Sequence, residues 1–264
     1  MALTLTDWHK RFTHQAGWTS SLRQHFYNII QVSHHFRVLE VGCGTGAILG
    51  DFCSSSTERT STLRIGENLL FACGLDIRLD YLSIAQKNLK DALLIQGNAY
   101  KLPFESDSFD LTLCHYFLLW LNSPESALRE MHRITRKGGF VIAFAEPDYG
   151  GRIDYPDELK RLGELQRISL LHQGAELEMG RRLAELFSKF DFEEKTTGVL
   201  ASQWPGFMDQ EELQMEWAVI LSDIGELTSS DEINDLHEID KQSWKETRRI
   251  LYVPTFYACG KVRK

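Results

Sequence analysis

The chain is expected to fold as an α/β protein around a mainly parallel sheet, and three observations carry that expectation. Strand-like and helix-like segments alternate through the first 145 residues, the pattern that buries a parallel sheet between two layers of helices. The first strand-like run ends in glycines spaced two apart, Gly42, Gly44 and Gly46, which suits a tight strand-to-helix turn. At 264 residues, with 43% hydrophobic and 25% charged residues, the chain can bury a core of the size such a sheet requires. Ligands of sheets of this kind bind at the carboxyl ends of the strands, near the point where strand order reverses.

The elements follow in order. Residues 1–35 read as helix with aromatic punctuation, Trp8, Phe12, Leu22 and Phe26 falling on helical faces broken near Gly17. Residues 37–41 form a short buried strand, and residues 47–52 continue from the glycines as a helix. A Ser/Thr-rich tract at 54–62 reads as a surface loop. Residues 69–76 are a second strand, and Tyr81, Leu82, Ala85 and Leu89 mark the helix after it. Residues 93–96 and 109–117 are the third and fourth strands. Ser123 and Pro124 open a helix, since proline at the first position wastes no donor. Lys137, Gly138 and Gly139 are read as its end, with a fifth strand at 140–145. Beyond this the pattern loosens: helices at 157–171 and 176–190, a strand at 192–201, helices at 209–225 and 231–250, and a closing strand at 253–261.

Bulk properties exclude several classes. A net charge of −8 argues against nucleic-acid binding, which needs a basic face to release phosphate counterions. No apolar run reaches the roughly 18 residues needed to span a bilayer. The opening residues Met1-Ala2-Leu3-Thr4-Leu5-Thr6-Asp7 lack a secretory layout. Five scattered cysteines, Cys43, Cys53, Cys73, Cys114 and Cys259, form no CxxC pair. They suggest free thiols in a cytoplasmic protein and no zinc site. The adjacent pair His34 and His35 cannot face one metal from a helix.

The most informative stretch is Val38-Leu39-Glu40-Val41-Gly42-Cys43-Gly44-Thr45-Gly46. Without Cβ atoms, Gly42 and Gly44 let a ligand lie against the backbone. The GxGxG spacing departs from the GxGxxG of dinucleotide binders, where pyrophosphate rests on the helix N-terminus. That disfavours a nicotinamide-dependent dehydrogenase. The second strand ends in Asp76, where a carboxylate can accept from both ribose hydroxyls of a nucleoside. By spacing alone Asp76 reads equally as a helix cap.

Residues 38–46 resemble motif I of the class I S-adenosylmethionine (SAM)-dependent methyltransferases. Gly74-Leu75-Asp76-Ile77 resembles that family's strand-two acidic motif, residues 96–104 its GDAxxLPF segment, and residues 109–115 its motif IV. Residues 128–139 resemble the helix and glycine turn that follow. The nearest subgroup is the small-molecule type that includes ubiquinone and menaquinone biosynthesis methyltransferases. The resemblance implies a Rossmann-like seven-stranded sheet of order 3-2-1-4-5-7-6, its last strand antiparallel, with helices on both faces. It implies SAM as cofactor, Glu40 holding the methionine amino end, and Gly42 and Gly44 lining the amino-acid part. Asp76 would bind the ribose and Ile77 pack on the adenine. Asn98 and Ala99 would meet the adenine edge, and His115 lie near the methionyl backbone. Asn98 stands where the family usually has aspartate, so weaker adenine recognition is expected.

A single domain is expected over residues 1–264: a helical cap at 1–36, a SAM-binding core at 37–203 and 251–264, and a helical lid insertion at 204–250. Trp18 and Arg23 read two ways. They form either a lid over SAM, Arg23 pairing its carboxylate, or a helix packed on the sheet. Substrate-side candidates are His115, Tyr116, Glu146, Asp148, Tyr149, Arg152 and His172, with His115 and Tyr149 the weak candidates for catalysis. Asp148 and Tyr149 also read as an ordinary turn, and His172 as a solvated helix residue. Cys114-His115-Tyr116-Phe117 replaces the Asn/Asp-Pro-Pro-aromatic motif of many nucleic-acid methyltransferases, so a small-molecule acceptor is expected. Trp204, Phe207, Trp217 and Trp244 either line the acceptor pocket or form the core of the lid. The alternative function is a SAM-binding but catalytically silent regulatory or assembly protein.

Overall fold

The computed structural model describes residues 3–33, 35–53, 71–200, 208 and 210–264. Its centre is a seven-stranded sheet. Strands β1 (Arg37–Val41), β2 (Phe71–Asp76), β3 (Leu93–Gln96), β4 (Phe109–His115) and β5 (Thr135–Pro147) pair in parallel. Two short strands, β6 (Ile153–Tyr155) and β8 (Ile250–Tyr252), form a separate antiparallel ribbon, which the sequence gives no sign of. Strands β7 (Phe192–Leu200) and β9 (Thr255–Val262) complete the sheet, β9 running antiparallel to both β5 and β7. The sheet order is β3-β2-β1-β4-β5-β9-β7. Counting the sheet's own seven strands, this is 3-2-1-4-5-7-6 with the last strand antiparallel, as expected.

Helices cover both faces. On one lie α1 (Leu5–Trp18), α2 (Ser20–Ile29) and α3 (Leu79–Asn88), where Phe26, Tyr27 and Leu89 join Val38, Leu111 and Phe144 in one buried cluster. On the other lie α4 (Pro124–Ile134) and α6 (Met179–Ser188), with Leu128, Met131, Leu183 and Phe187 against Leu39, Leu75 and Val141. Each large side chain so buried contributes about 1.5–3 kcal/mol. A third cluster joins α5 (Lys160–His172), α7 (Gln210–Ile224) and α8 (Ser230–Lys245) through Leu162, Leu165, Trp217, Ile220 and Leu236.

Three sequence expectations are corrected. Residues 47–52 are not an α-helix: Gly42, Gly44 and Gly46 all have positive φ, and only a 3-10 turn, Leu49–Phe52, follows. Helix α4 stops at Ile134, before Gly138 and Gly139. The Thr135 hydroxyl donates to the Met131 carbonyl at 2.6 Å and lies 2.7 Å from the Thr112 hydroxyl on β4. That draws residue 135 into the sheet. The last helix ends at Lys245, and Ile250 belongs to the β6–β8 ribbon. The Ser/Thr tract at 54–62, Leu69, Leu70, His34, Trp204 and Phe207 lie outside the described residues.

Candidate functional site: a cavity at the carboxyl ends of the strands

A cavity of about 1080 Å³ opens where β1, β2 and β4 end. Strand β1 delivers Glu40 and then the glycine turn. Gly42 (φ +75°) and Gly44 (φ +52°) adopt backbone angles that L side chains resist. A Cβ on Gly42 would lie 2.2 Å from the Phe117 ring, whereas one on Gly44 would project beneath Phe12 at 3.6 Å. Helix α1 is tied to this turn, since His9 Nδ1 lies 2.8 Å from Thr45 Oγ1. The turn is therefore a ledge without Cβ atoms at Gly42 and Gly44, roofed by α1, with the Phe117 ring lying against Gly42.

Two carboxylates flank the ledge. Glu40 is 2% exposed and accepts from the Leu49 backbone N–H. Its Oε2 is buried without a hydrogen-bond partner among the described residues. Burial, and next the nearby Asp51 charge, raise its pKa well above the ordinary carboxylate value. A buried oxygen left unpaired costs about 1–3 kcal/mol, so this atom is built to meet a donor. Asp76, at the end of β2, accepts from Gly44 N–H at 2.8 Å and from Arg78 N–H at 2.8 Å, one bond on each oxygen. Each oxygen keeps a second lone pair. Ile77 is exposed beside it and also lines the cavity.

The remaining expected residues divide. Trp18 lines the cavity and is 51% exposed. It stands at the rim beside the Arg11 guanidinium, 5.1 Å above its ring, and is not packed on the sheet. His115 and Tyr149 line the cavity too. Arg23 does not. It is buried, its Nε donating to Asp51 at 2.7 Å and its Nη1 to the Ala16 carbonyl at 2.6 Å. It braces the junction of α1 and α2 because Asp51 supplies the carboxylate that it was expected to find on a ligand. Asn98 and Ala99 also lie outside the cavity. Asn98 spends its Oδ1 on the Tyr100 N–H at 2.9 Å, and Ala99 packs into the core.

On the substrate side, Tyr116, Tyr149 and Arg152 reach the cavity. Glu146, Asp148 and His172 do not. Glu146 is fully buried and accepts backbone N–H bonds from Phe117, Leu118 and Leu119 at 3.0, 2.8 and 3.1 Å. Burial raises its pKa to about 7, against the lowering by those three bonds. Asp148 closes a turn through Gly150 N–H and pairs with Arg181 at 2.5 Å. His172 is exposed on α5. His115 Nε2 lies 2.9 Å from Thr19 Oγ1. Burial, then the Arg23 charge, lower its pKa well below the ordinary imidazole value. It is a neutral, weakly basic group.

Sequence reasoning missed the roof. Arg11 and His14 of α1 pair with Glu216 and Glu212 of α7 across the cavity. It also missed Phe12, Tyr81 and Arg78, whose guanidinium lies 3.7 Å from the Tyr81 ring centroid. These polar residues on helix faces look solvated in a one-dimensional reading. Of the aromatics expected in a lid, within the described residues Trp217 packs in the cluster of α5, α7 and α8 and Trp244 is buried at the cavity wall.

Comparison with known proteins meets this geometry. Residues 39–143, the segment carrying the ledge, Asp76 and the end of β4, match the family model described as a methyltransferase domain. These residues form a class I SAM-dependent methyltransferase domain. An uncharacterized methyltransferase of Schizosaccharomyces pombe is 27% identical over 237 residues, covering 84% of this chain and 83% of that protein. The demethylmenaquinone methyltransferase of Renibacterium salmoninarum is 33% identical over 128 residues, 47% of this chain; the match spans about half its length, 48%. Among solved structures, a putative methyltransferase from Bacillus halodurans superposes with a TM-score of 0.56 at 13% identity, covering 90% of this chain and 96% of that one. Phosphoethanolamine N-methyltransferase 2 of Haemonchus contortus, in complex with phosphomonomethylethanolamine and S-adenosylhomocysteine, gives 0.54 at 17% identity, covering 88% and 50%. These two likenesses speak for the fold of the methyltransferase domain. Among the described residues no group of three His, Cys, Asp or Glu side chains is placed to hold a metal. No helix of theirs is long and apolar enough to cross a membrane.

Proposed function

We propose that the chain transfers the methyl group of SAM to a small-molecule acceptor bound in the outer half of the same cavity. The observation that carries this reading is the unpartnered Glu40 Oε2, buried beside the glycine ledge. It matches the α-ammonium of the cofactor's methionine part. Gly42 and Gly44 pass the methionyl chain along the backbone, Asp76 takes the ribose hydroxyls on its spare lone pairs, and Ile77 covers the adenine. When bound, the sulfonium supplies an electrophilic methyl group whose displacement leaves a neutral thioether.

The chain's own residues then position the acceptor, and alignment alone supplies much of the acceleration. Tyr149, its pKa raised by burial, stays neutral and offers its hydroxyl to the acceptor. His115 is too weakly basic for a primary role as proton acceptor; it fastens Thr19 of the N-terminal helices to the end of β4. In this reading residues 1–36 are a cap, 37–203 and 251–264 the cofactor core, and 204–250 an insertion that closes the acceptor side. Five free cysteines support a cytoplasmic setting.

Calorimetry with S-adenosylhomocysteine tests the reading. The wild type is expected to bind, Asp76→Ala to bind about 1–3 kcal/mol more weakly, and Glu40→Gln about 1.5–3 kcal/mol more weakly, as a charge-assisted bond is lost. Unchanged affinity in both folded variants contradicts the assignment.

A further inference from the structure

Behind the cavity wall lies a chain of buried charges that methyl transfer does not require. The Arg152 side chain is only 6% exposed and lines the cavity. Its Nε and Nη2 donate to the two oxygens of Asp154 at 2.6 and 3.1 Å. Arg249 holds Asp154 from the other side through Nη2 at 3.0 Å, and Asp240 through Nε at 2.7 Å. Trp217 Nε1 closes the chain on Asp240 at 2.9 Å. The Arg152–Asp154 pair fits only because α5 presents bare backbone to it. A Cβ on Gly163 would lie 2.3 Å from Asp154 Oδ2 and 3.0 Å from Arg152 Nε.

Burying four charges is a poor route to stability, since apolar residues of similar volume usually do as well or better. What the arrangement achieves is a guanidinium fixed in place at the cavity wall. Arg152 Nη1 has no hydrogen-bond acceptor among the described residues. The carboxylates that share the outer cavity are already engaged. Glu216 pairs with Arg11, Glu212 with His14, and Asp240 with Arg249. Asp223 accepts from Gln173 at 3.2 Å, and burial raises its pKa. Tyr149 stands close enough to Arg152 to feel its charge, and Leu162 and Trp244 provide apolar wall.

We propose that the open edge of Arg152 binds a carboxylate carried by the methyl acceptor. A planar guanidinium matches such a group in geometry as well as charge. The aromatic and apolar wall then takes a ring or chain attached to it. This rests on the methyltransferase reading, and the experiment separates the two.

The probes are 4-hydroxybenzoate, its neutral analogue 4-hydroxybenzamide, and the cation tyramine, titrated by calorimetry into protein saturated with S-adenosylhomocysteine. Binding of S-adenosylhomocysteine is measured first. If the wild type does not bind it, the underlying reading fails; variants that bind it as the wild type does are folded. The wild type is expected to take the benzoate about tenfold more tightly than the amide, the scale of one charge-assisted bond. Arg152→Gln levels the two, and Arg152→Lys falls between, keeping the charge without the fork. The proposal is overturned if amide or tyramine binds as well as the benzoate. It is also overturned if the preference survives in Arg152→Gln, or if none of the three binds the loaded wild type.

Discussion

Glu146 shows how one side chain organises the mouth of the cavity. Its neighbour Ala145 and the facing Tyr116 both have positive φ, 59° and 48°, a conformation that costs non-glycine residues about 1–3 kcal/mol. The three N–H bonds from Phe117, Leu118 and Leu119 to the Glu146 carboxylate offset that cost and set the loop whose Phe117 ring packs on Gly42. Because burial raises the folded pKa to about 7 from 4.5, the folded state holds the proton more tightly than the unfolded chain. Stability from this group is fully present below about pH 4.5 and falls as pH rises through about 7. The loss is on the order of 3 kcal/mol. Urea denaturation between pH 5 and 8 is expected to show this decline in the wild type and a smaller one in Glu146→Gln. Glu40 titrates in the same direction, so the difference between the two profiles is the quantity to read. Equal profiles would remove Glu146 from the account. From sequence, Glu146 looked like a substrate contact because it follows strand five; only the register of the loop shows that its oxygens point at backbone.

At the scale of elements, the alternation of strands and helices was legible to within a few residues up to α4, except at 47–52, where a 3-10 turn replaces the expected helix, since each element has its own period and turn chemistry. Thr135 shows where that stops. Its hydroxyl ends α4 early through Met131 and Thr112, a tertiary choice with no local signature. The ribbon of Ile153–Tyr155 with Ile250–Tyr252 joins segments nearly a hundred residues apart, so no local period announces it. The ion chain of Arg152, Asp154, Arg249 and Asp240 anchors this ribbon to α8. Arg249→Met is expected to lower stability by about 3–5 kcal/mol, because Asp154 and Asp240 lose their shared cation in a buried setting. Adding Asp240→Leu recovers part of it. Denaturant melts check both, and a near-neutral Arg249→Met would mean that the chain is not energetically coupled.

Across the whole molecule, the residues that β1 and β2 bring to the cavity were readable, and those that the helices bring to it were not. Glu40, Gly42, Gly44, Asp76 and Ile77 fall within forty residues, on two neighbouring strands whose order follows from the crossover rule. Arg23, Asn98 and Ala99 do not line the cavity: Arg23 pairs with Asp51, Asn98 accepts from Tyr100 N–H, and Ala99 packs in the core. The rest of the cavity wall is assembled from α1, the β5 end, α5, α7 and α8, segments spread over more than two hundred residues, and its pairings arise only on folding. A crystal structure with S-adenosylhomocysteine tests the central claim most directly. Its amino nitrogen is expected within about 3 Å of Glu40 Oε2 and its ribose hydroxyls on Asp76, with Gly42 and Gly44 against the methionyl chain. A ligand bound elsewhere, with Glu40 Oε2 still unpaired, would contradict it.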